Sequence, residues 1–292
     1  MFSLIICSRT PDIPQNLKEN IAETIGVEYE LIVIDNSNNE YSIFAAYNEG
    51  IRRAKGEVLC FMHEDILFYT QNWGKNIFRH FEVKTIGLIG VAGTHFLPNK
   101  PIYWTDSPLI SEYNLTNNCG KRIECFKTHF FKGEKTVDVV ACDGLCFFVR
   151  KSLFIPCHSA LEVKSHIFFD EKTYTGFHYY DMDICMQVLK AGYKVAVCND
   201  VLIEHFFNVS KYRTKKDMLP FEVSKNKFFQ KWKNNLPIWR GIDNIPQYSL
   251  ERINNLYKSE YEMSKKVKSK EYKIGYRLLH PFKLIRKILN IK

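Results

Sequence analysis

The sequence places acidic side chains and one imidazole at the ends of its apolar runs, which are the segments expected to form buried strands. They are Asp35, Glu64, Asp65, Asp181, Asp183 and His205. A hard divalent cation such as Mg²⁺ or Mn²⁺ prefers oxygen ligands and keeps coordination positions open for phosphate oxygens. If these side chains meet in the folded protein, they predict the binding of a cation that neutralises a diphosphate leaving group.

Each of these side chains also has a purely structural explanation. The triplet "HED" at 63–65 follows an apolar run and is compatible with a solvated turn. Asp35 precedes "NSNN" and can form an Asx-turn or cap a helix. Asp181 and Asp183 begin a predicted helix, where carboxylates favour the positive end of the helix dipole. His205 can simply be the last residue of a strand. The functional explanation therefore requires that these side chains lie close together in the folded protein.

Short β-branched runs alternate with helical patterns through the first hundred residues, which is typical of βαβ units and a mainly parallel sheet. Strands are predicted at 3–8, 29–35 and 57–62, with helices at 15–25 and 41–56. Later segments predict a strand within 136–151, a helix and a strand across 179–197, and a short strand at 200–207. Because ligands bind beyond the carboxyl ends of such strands, we expect the acidic residues to meet at one edge of an α/β sheet.

Charge is distributed unevenly along the 292 residues, whose net charge is +9. Residues 211–292 contain 21 Lys and Arg against 7 Asp and Glu, whereas residues 1–210 are mildly acidic. We therefore predict an α/β domain at 1–210, followed by a basic helical extension at 211–292. Nucleic acid is not expected as a partner, because the positive charge is confined to the extension.

Cysteine usage and the lengths of the apolar runs predict a cytoplasmic location. The nine cysteines are scattered without a Cys-x-x-Cys pair, which predicts free thiols in a reducing compartment and no structural zinc site. The first ten residues, "MFSLIICSRT", have neither the basic region nor the apolar length of a signal sequence. No run of about 18 apolar residues occurs that would span a bilayer.

The order of several segments resembles family 2 glycosyltransferases of the GT-A fold over roughly residues 1–207. The matching segments are "SLIICSR", "ELIVIDNSN", "AAYNEGIRRAKGEVLCFMHED", "FFVRKSLF", "FDEKTYTGFHYYDMDICMQVLKAGYKV" and "LIEH". The resemblance implies a nucleotide-diphospho-sugar transferase fold, which is Rossmann-like, with a mainly parallel sheet flanked by helices. It also implies an enzyme that uses a divalent cation, Mn²⁺ or Mg²⁺.

The resemblance assigns metal-binding residues. In that family the third strand ends in an Asp-x-Asp motif whose last Asp binds the metal of the metal–nucleotide-sugar complex. "HED" falls on this motif, which implies a metal-binding role for Asp65 and resembles the branch of the family with His-x-Asp in place of Asp-x-Asp. His205 matches a His that completes the metal or diphosphate site.

The resemblance also assigns donor-binding residues. Ser8 and Arg9 match the end of the first strand, which lines the base and ribose, and Asp35 matches the carboxylate that hydrogen-bonds the base. Asn48 matches the Asn of an Asn-x-Gly segment near the diphosphate, and Glu64 of the "HED" motif joins this donor-binding set. The expected donor is a nucleoside-diphosphate sugar, with a UDP-sugar preferred.

Asp181 matches the Asp of the family's Glu-Asp motif, the general base that takes the acceptor hydroxyl proton, while Tyr180 replaces the Glu. The implied reaction is an inverting, metal-dependent transfer to a glycan or lipid-linked acceptor in surface polysaccharide or glycan synthesis. Trp104, in an irregular stretch from about 94 to 136, and Asp183 are candidates for contacting the acceptor. The alternatives are a sugar nucleotidyltransferase and a catalytically degenerate GT-A protein that binds a glycan.

The carboxyl-terminal segment "HPFKLIRKILNIK" is amphipathic when it is drawn as a helix. Its apolar face consists of Leu284, Ile285, Ile288 and Ile291. With basic residues on the opposite face, such a helix can lie in the plane of an anionic bilayer. The favoured interpretation is a peripheral contact with the inner face of the membrane, and the alternative is a helix docked on the catalytic domain.

Overall fold

The computed structural model describes residues 1–107, 110–111, 115–116, 135–155, 166–206, 218–243 and 246–269. The chain forms two compact units. The first comprises Met1–Leu97 and Pro101–Asp243, and the second comprises Pro98–Lys100 and Asn244–Lys292. Every side chain that the sequence singles out for chemistry belongs to the first unit.

The described residues contain short strands interleaved with helices. The strands are β1 (Phe2–Ser8), β2 (Tyr29–Asp35), β3 (Val58–Met62), β4 (Ile66–Phe68), β5 (Ile86–Gly90), β6 (Gly93–Thr94), β7 (Phe96–Leu97), β8 (Ile110–Ser111), β9 (Leu115–Thr116), β10 (Thr136–Val139), β11 (Ala141–Cys142), β12 (Cys146–Arg150), β13 (Lys194–Cys198), β14 (Ile203–His205) and β15 (Ile238–Trp239). The helices are α1 (Gln15–Thr24), α2 (Ile43–Arg53), α3 (Trp73–His80), α4 (Tyr180–Lys190), α5 (Leu219–Trp232) and α6 (Gln247–Lys268). The helices predicted at 15–25 and 41–56 and the first three predicted strands are confirmed to within a few residues at each end.

Seven strands form the central sheet, in the order β10, β13, β5, β12, β3, β1, β2. β1 pairs in parallel with β2 and β3, and β13 pairs in parallel with β5. β12 is antiparallel to both β3 and β5, and β10 is antiparallel to β13. Five of the seven strands therefore run in the same direction, which confirms the predicted mainly parallel α/β sheet.

Burial on both faces explains why β3 is an unbroken apolar run and why β1 is apolar apart from Ser3 and Ser8. Every residue of β3 is buried. Helix α2 covers the sheet beside β1, and it begins where the Ser42 hydroxyl accepts a hydrogen bond from the Ala45 N–H at 3.2 Å. Gly50 permits the close approach of this helix, because a Cβ there would lie 2.2 Å from Cγ2 of Ile5. The carboxyl ends of β1 and β3 are thereby held side by side.

A separate three-stranded sheet brings His205 to the end of β3. β4 begins directly after Asp65 and pairs antiparallel with β14, with Ile66 opposite His205. The Phe206 N–H also donates to the Asp65 carbonyl at 2.9 Å. The sequence predicted that His205 would reach the acidic residues as a neighbour in one parallel sheet, and that route is wrong. His205 arrives through antiparallel pairing, which three-residue strands do not reveal by their apolar pattern.

Helix α5 belongs to the first unit, although the sequence places it in the basic extension. Lys231 Nζ and Trp232 Nε1, near its carboxyl end, donate to the buried Asp183 carboxylate of α4 at 2.9 and 2.7 Å. The compact unit accordingly runs on to Asp243. The division at residue 210 stays a prediction.

Among the described residues, no helix has the length and apolar character needed to cross a membrane. The cysteines within the described ranges are free thiols, namely Cys7, Cys60, Cys142, Cys146, Cys185 and Cys198. The amphipathic segment predicted at 280–292 lies outside the described residues.

Candidate active site

A cleft of about 580 Å³ lies at the carboxyl ends of β1 and β3. The predicted site residues that line it are Arg9, Glu64, Asp65, Asp181 and His205. The predicted site residues that do not line it are Ser8, Asp35, Asn48, Trp104 and Asp183. It is also lined by Tyr103, the neighbour of Trp104 in the irregular aromatic stretch, and by residues to which the sequence analysis assigned no role, including His63, Asp143, Gly144 and Tyr180. The structure thus brings together half of the predicted set and adds to it.

His63, Asp65 and His205 form a cluster within the cleft. Each offers one potential ligand atom, and these atoms all lie within 4.8 Å of one another. Nε2 of His205 lies 3.5 Å from Oδ1 of Asp65, and Nδ1 of His63 lies 3.7 Å from the same oxygen. Two imidazole nitrogens and a carboxylate suit a divalent cation that keeps other positions open. The residues present therefore fit the predicted metal site.

Electrostatics favour the unprotonated forms of His63 and Asp65, which are the forms that bind metal. Desolvation lowers the pKa of His63 below its ordinary value. Desolvation opposes ionisation of Asp65, but its hydrogen bond with His205 and the nearby charges of His63 and Arg9 outweigh this effect and lower its pKa. The carboxylate is therefore available to a cation at neutral pH.

The Glu64 carboxylate holds the carboxyl end of β1. Its Oε2 accepts hydrogen bonds from Ser8 Oγ at 2.6 Å and from the Arg9 backbone N–H at 3.2 Å. Its Oε1 accepts from Arg9 Nε at 2.6 Å. Ser8 is fully buried, whereas the Arg9 side chain is 62% exposed, with Nη2 4.0 Å from Oδ2 of Asp65. Arg9 thus presents a positive charge beside the cluster, and Ser8 reaches the cleft only through Glu64.

Asp181 lies in the first turn of α4 and is 2% exposed. Its Oδ2 accepts hydrogen bonds from the Tyr103 hydroxyl at 2.8 Å and the Gly144 N–H at 3.1 Å, and its Oδ1 accepts from the Met182 N–H at 2.8 Å. Burial and the charge of Asp143 raise the pKa of Asp181 to about 7, against the lowering effect of the hydrogen bonds from Met182 and Tyr103. A carboxyl group with a pKa near neutrality is suited to general acid–base chemistry.

Asp143 is a cleft residue that the sequence analysis missed. It follows β11 in the segment "ACDGLC", and its Oδ1 accepts a hydrogen bond from the Leu145 N–H at 2.8 Å. The available signal was an Asp-Gly pair between two apolar strands, which is also an ordinary turn signature. Only the fold shows that this turn faces Asp181.

Asp35 and Asn48 make local contacts in the structure. Oδ1 of the exposed Asp35 accepts a hydrogen bond from the Ser37 N–H at 2.9 Å, which is the Asx-turn geometry. The Asn48 side chain donates to the Phe169 carbonyl at 2.8 Å and accepts from the Phe169 N–H at 3.2 Å. Asn48 thereby ties α2 to the segment that precedes α4. Donor-binding roles for Asp35 and Asn48 stay predictions.

The two candidate acceptor residues are both buried away from the cleft. Trp104 is fully buried, and its neighbour Tyr103 contributes the side chain that lines the cleft. Asp183 is 1% exposed and accepts hydrogen bonds from Trp232 Nε1 at 2.7 Å, Gln187 Nε2 at 2.8 Å and Lys231 Nζ at 2.9 Å. Each of these contacts explains Asp183 as a structural anchor. A role for Asp183 in contacting the acceptor substrate stays a prediction.

Replacing Asp183 by Ala is expected to lower the free energy of unfolding by about 2–4 kcal/mol, because it leaves the buried Trp232 indole N–H without its acceptor and removes one of the two carboxylates that pair with Lys231. Urea denaturation measures this change. The matched control is Glu49→Ala. It removes a carboxylate that pairs with the exposed Arg52 and Arg53 on α2, and it should change stability by less than about 1 kcal/mol. Equal effects of the two substitutions would contradict the anchoring role.

Comparison with known families identifies the protein class. The model of a family described as "Glycosyltransferase like family" matches residues 3–232. The chain belongs to this glycosyltransferase-like family. The match includes β1 to β3, the cleft and all of α5, and it confirms the predicted glycosyltransferase at the level of the family. A comparison with curated protein sequences finds no match.

One solved structure supports the GT-A fold of this glycosyltransferase, and two others show a weaker similarity. A crystal structure of S. aureus TarS 1-349 is 12% identical, with a TM-score of 0.51 and coverage of 91% of this chain and 73% of that one. GalNAc-T7 with UDP, GalNAc and Mn²⁺ is 12% identical, with a TM-score of 0.49 and coverage of 92% and 57%. The mannosyltransferase PcManGT from Pyrobaculum calidifontis, in complex with GDP-Man and Mn²⁺, is 12% identical, with a TM-score of 0.44 and coverage of 80% and 70%. The chain spans just over half the length of the GalNAc-T7 chain.

Proposed function

We propose that this protein transfers a sugar from a nucleoside-diphosphate sugar, with a UDP-sugar preferred, to a hydroxyl acceptor in a metal-dependent, inverting reaction. The observation that carries the proposal is that one cleft holds two complementary sites. One is the cluster of His63, Asp65 and His205, which fits a divalent cation, and the other is the buried Asp181, whose pKa is about 7. A leaving diphosphate and an attacking hydroxyl need such a pair of sites.

Asp181 is the proposed general base. As the acceptor oxygen attacks the anomeric carbon, its proton passes to the Asp181 carboxylate and the bond from the anomeric carbon to the diphosphate oxygen breaks. The hydroxyl of Tyr103 and the N–H of Gly144 hold the carboxylate in place throughout. Attack from the face opposite the leaving group inverts the anomeric configuration.

Asp65 and His205 are the proposed metal ligands, and the bound cation would neutralise charge that develops on the diphosphate. Arg9 supplies further positive charge to that side of the cleft, held by its hydrogen bond to Glu64. Glu64 thus supports the donor site through Arg9 and Ser8. The acceptor is proposed to be a glycan or a lipid-linked saccharide in surface polysaccharide or glycan synthesis.

Thermal unfolding tests the donor site. UDP, GDP, CDP, ADP and dTDP are added singly, with and without Mn²⁺. We expect one of them, UDP first, to stabilise the protein only when the metal is present, by roughly 2.7 kcal/mol at 100 times its dissociation constant. The corresponding sugar nucleotide should then release the diphosphate upon transfer. Pyrophosphate release from a nucleoside triphosphate would instead indicate a nucleotidyltransferase, and nucleotide binding without transfer would indicate a degenerate glycan-binding protein.

The activity should depend on pH through Asp181. A base acts only when deprotonated, so kcat is expected to fall as pH decreases through the pKa of about 7. Asp143→Asn removes a charge that raises this pKa, so the acidic limb of the profile should move to lower pH. The profile of kcat for the two proteins measures the shift. Superimposable profiles would contradict the role of Asp143 in setting this pKa.

The basic carboxyl-terminal segment is proposed to contact anionic lipid, where a lipid-linked acceptor would lie. Each basic residue near such a surface contributes about 1 kcal/mol. Deletion of residues 274–292 is expected to abolish cosedimentation with anionic liposomes while the donor-induced thermal shift persists. Undiminished cosedimentation of the shortened chain would contradict the proposal.

A further inference from the structure

The hydrogen bonds of Tyr180 define which nitrogen of His63 carries the proton. The Tyr180 hydroxyl donates to the Gly144 carbonyl at 3.0 Å, and a hydroxyl has only one proton to donate. The same hydroxyl oxygen lies 2.8 Å from Nε2 of His63, so Nε2 must be the donor in that second hydrogen bond. Nδ1 of His63 then carries the lone pair, and it is the atom that lies 3.7 Å from Oδ1 of Asp65.

Both partners of this hydrogen bond are held in place. Tyr180 is 6% exposed, and its ring packs edge-on against Tyr47 at 5.5 Å. The backbone N–H of His63 donates to the Leu145 carbonyl at 2.9 Å. Gly144 is required for the contact, because a Cβ there would lie 2.3 Å from the Tyr180 hydroxyl oxygen. The orientation of the imidazole is therefore set before any cation arrives.

We propose that His63 is a further protein ligand of the divalent cation, through Nδ1, and that Tyr180 is the positioning residue that selects the required tautomer. The inference rests on the proposed function, because the cation is the one assigned to Asp65 and His205. A hydrogen bond on the second ring nitrogen is the usual device that orients a ligating histidine. The proposal also assigns a role to Tyr180, which occupies the position of the Glu in the Glu-Asp motif.

The proposal predicts which cations the site selects. Mg²⁺ binds reluctantly to nitrogen ligands and keeps an oxygen-rich octahedral shell. Imidazole ligands favour first-row transition metals. With two imidazoles and one carboxylate, the site binds Mn²⁺ and Co²⁺ more tightly than Mg²⁺.

Titration of Mn²⁺ followed by electron paramagnetic resonance, with UDP present and no sugar donor, tests the positioning role. Tyr180→Phe should weaken Mn²⁺ binding by about 10–100-fold, and His63→Ala at least as much. In the His63→Ala background, Tyr180→Phe should cause no further loss. The control Tyr103→Phe removes a hydroxyl from the same cleft and should leave Mn²⁺ affinity unchanged. Unchanged affinity in Tyr180→Phe, or an equal loss in both backgrounds, would overturn the proposal.

His63→Asp tests the ligand role independently of Tyr180. It replaces nitrogen by oxygen at the same position, so the ratio of Mn²⁺ to Mg²⁺ affinity should fall towards that of an oxygen site. An unchanged ratio would show that His63 does not touch the cation. A Mn²⁺ affinity that is unchanged in both the His63 and the Tyr180 variants contradicts only this inference. A wild-type protein that binds no Mn²⁺ with any of the five nucleotides contradicts the proposed function itself.

Discussion

Asp181→Asn is expected to lower kcat by about 10²–10⁴-fold at saturating donor and acceptor, because the amide cannot accept the hydroxyl proton. The donor KM should change little, since the cluster of His63, Asp65 and His205 is untouched. Steady-state kinetics on the alkaline side of the profile, where wild-type Asp181 is ionised, give the cleanest comparison.

The matched control is Asp143→Asn, an isosteric change of a second carboxylate in the same cleft. It should retain most activity on the alkaline side, because the expected effect of Asp143 on transfer is through the raised pKa of Asp181, which is ionised there in either case. If the Asp181→Asn variant kept more than about a tenth of the wild-type kcat, Asp181 could not be the general base. If Asp143→Asn lost as much as Asp181→Asn, the base would have to be reassigned to Asp143.

A stability measurement on Asp181→Asn distinguishes loss of the general base from loss of folding. The folded pKa of Asp181, about 7, lies above its ordinary value of 3.8, so the folded state binds a proton that the unfolded state has released. Ionising the buried group therefore costs the fold roughly 4 kcal/mol above neutral pH, and this cost disappears as pH falls towards the unfolded value. Asp181→Asn removes the cost, so an inactive variant should be no less stable than the wild type in alkaline solution.

Asp65→Asn is expected to abolish the metal-dependent stabilisation by nucleotide and to lower kcat/KM by about 10³-fold, since a Lewis-acidic cation contributes several kcal/mol to such a transition state. The amide keeps the size of the side chain but removes the negative charge that faces both imidazoles of the cluster. Isothermal titration with Mn²⁺ in the presence of UDP measures the binding directly.

Asp200 supplies the control for Asp65, because it forms a chemically similar pair with His80 at 2.7 Å outside the cleft. Asp200→Asn should alter stability while leaving Mn²⁺ affinity and transfer unchanged. Retention of metal-dependent nucleotide binding by Asp65→Asn would remove Asp65 from the metal site. It would leave the "HED" segment as an ordinary turn after a strand.

The central sheet and the position of Asp65 follow from local sequence, because buried strands show as apolar runs and ligands gather at strand ends. The antiparallel direction of β12 cannot be predicted in this way, because its first four residues, "CFFV", form an apolar run and an apolar run carries no direction. His205 shows the same limit, because its partner strand β4 has only three residues. Such pairings depend on contacts distant along the chain.

For Asp181 and Asp183, helical geometry predicts that the two side chains point in different directions, but it does not predict which one faces the cleft. Residues two apart on a helix point about 200° away from each other, so the two carboxylates cannot share one environment. The sequence cannot say which of them faces the cleft, because α4 is buried on nearly all sides. The answer depends on Tyr103 on one side and on Lys231 and Trp232 on the other, which lie 48 to 78 residues away.

The start of α4 sets a lower limit on the size of an active fragment. Tyr179, directly before this helix, has a φ of +71°, a left-handed conformation that costs a bulky residue about 1–2 kcal/mol. The rings of Phe221 and Phe228 from α5 lie 5.4 Å from the Tyr179 ring and hold it there. A chain cut at residue 210 would lose these rings together with Lys231 and Trp232, which donate to Asp183, and so would lose the contacts by which α5 holds the start of α4. Proteolytic trimming should therefore preserve transfer only when the surviving fragment extends past Trp232.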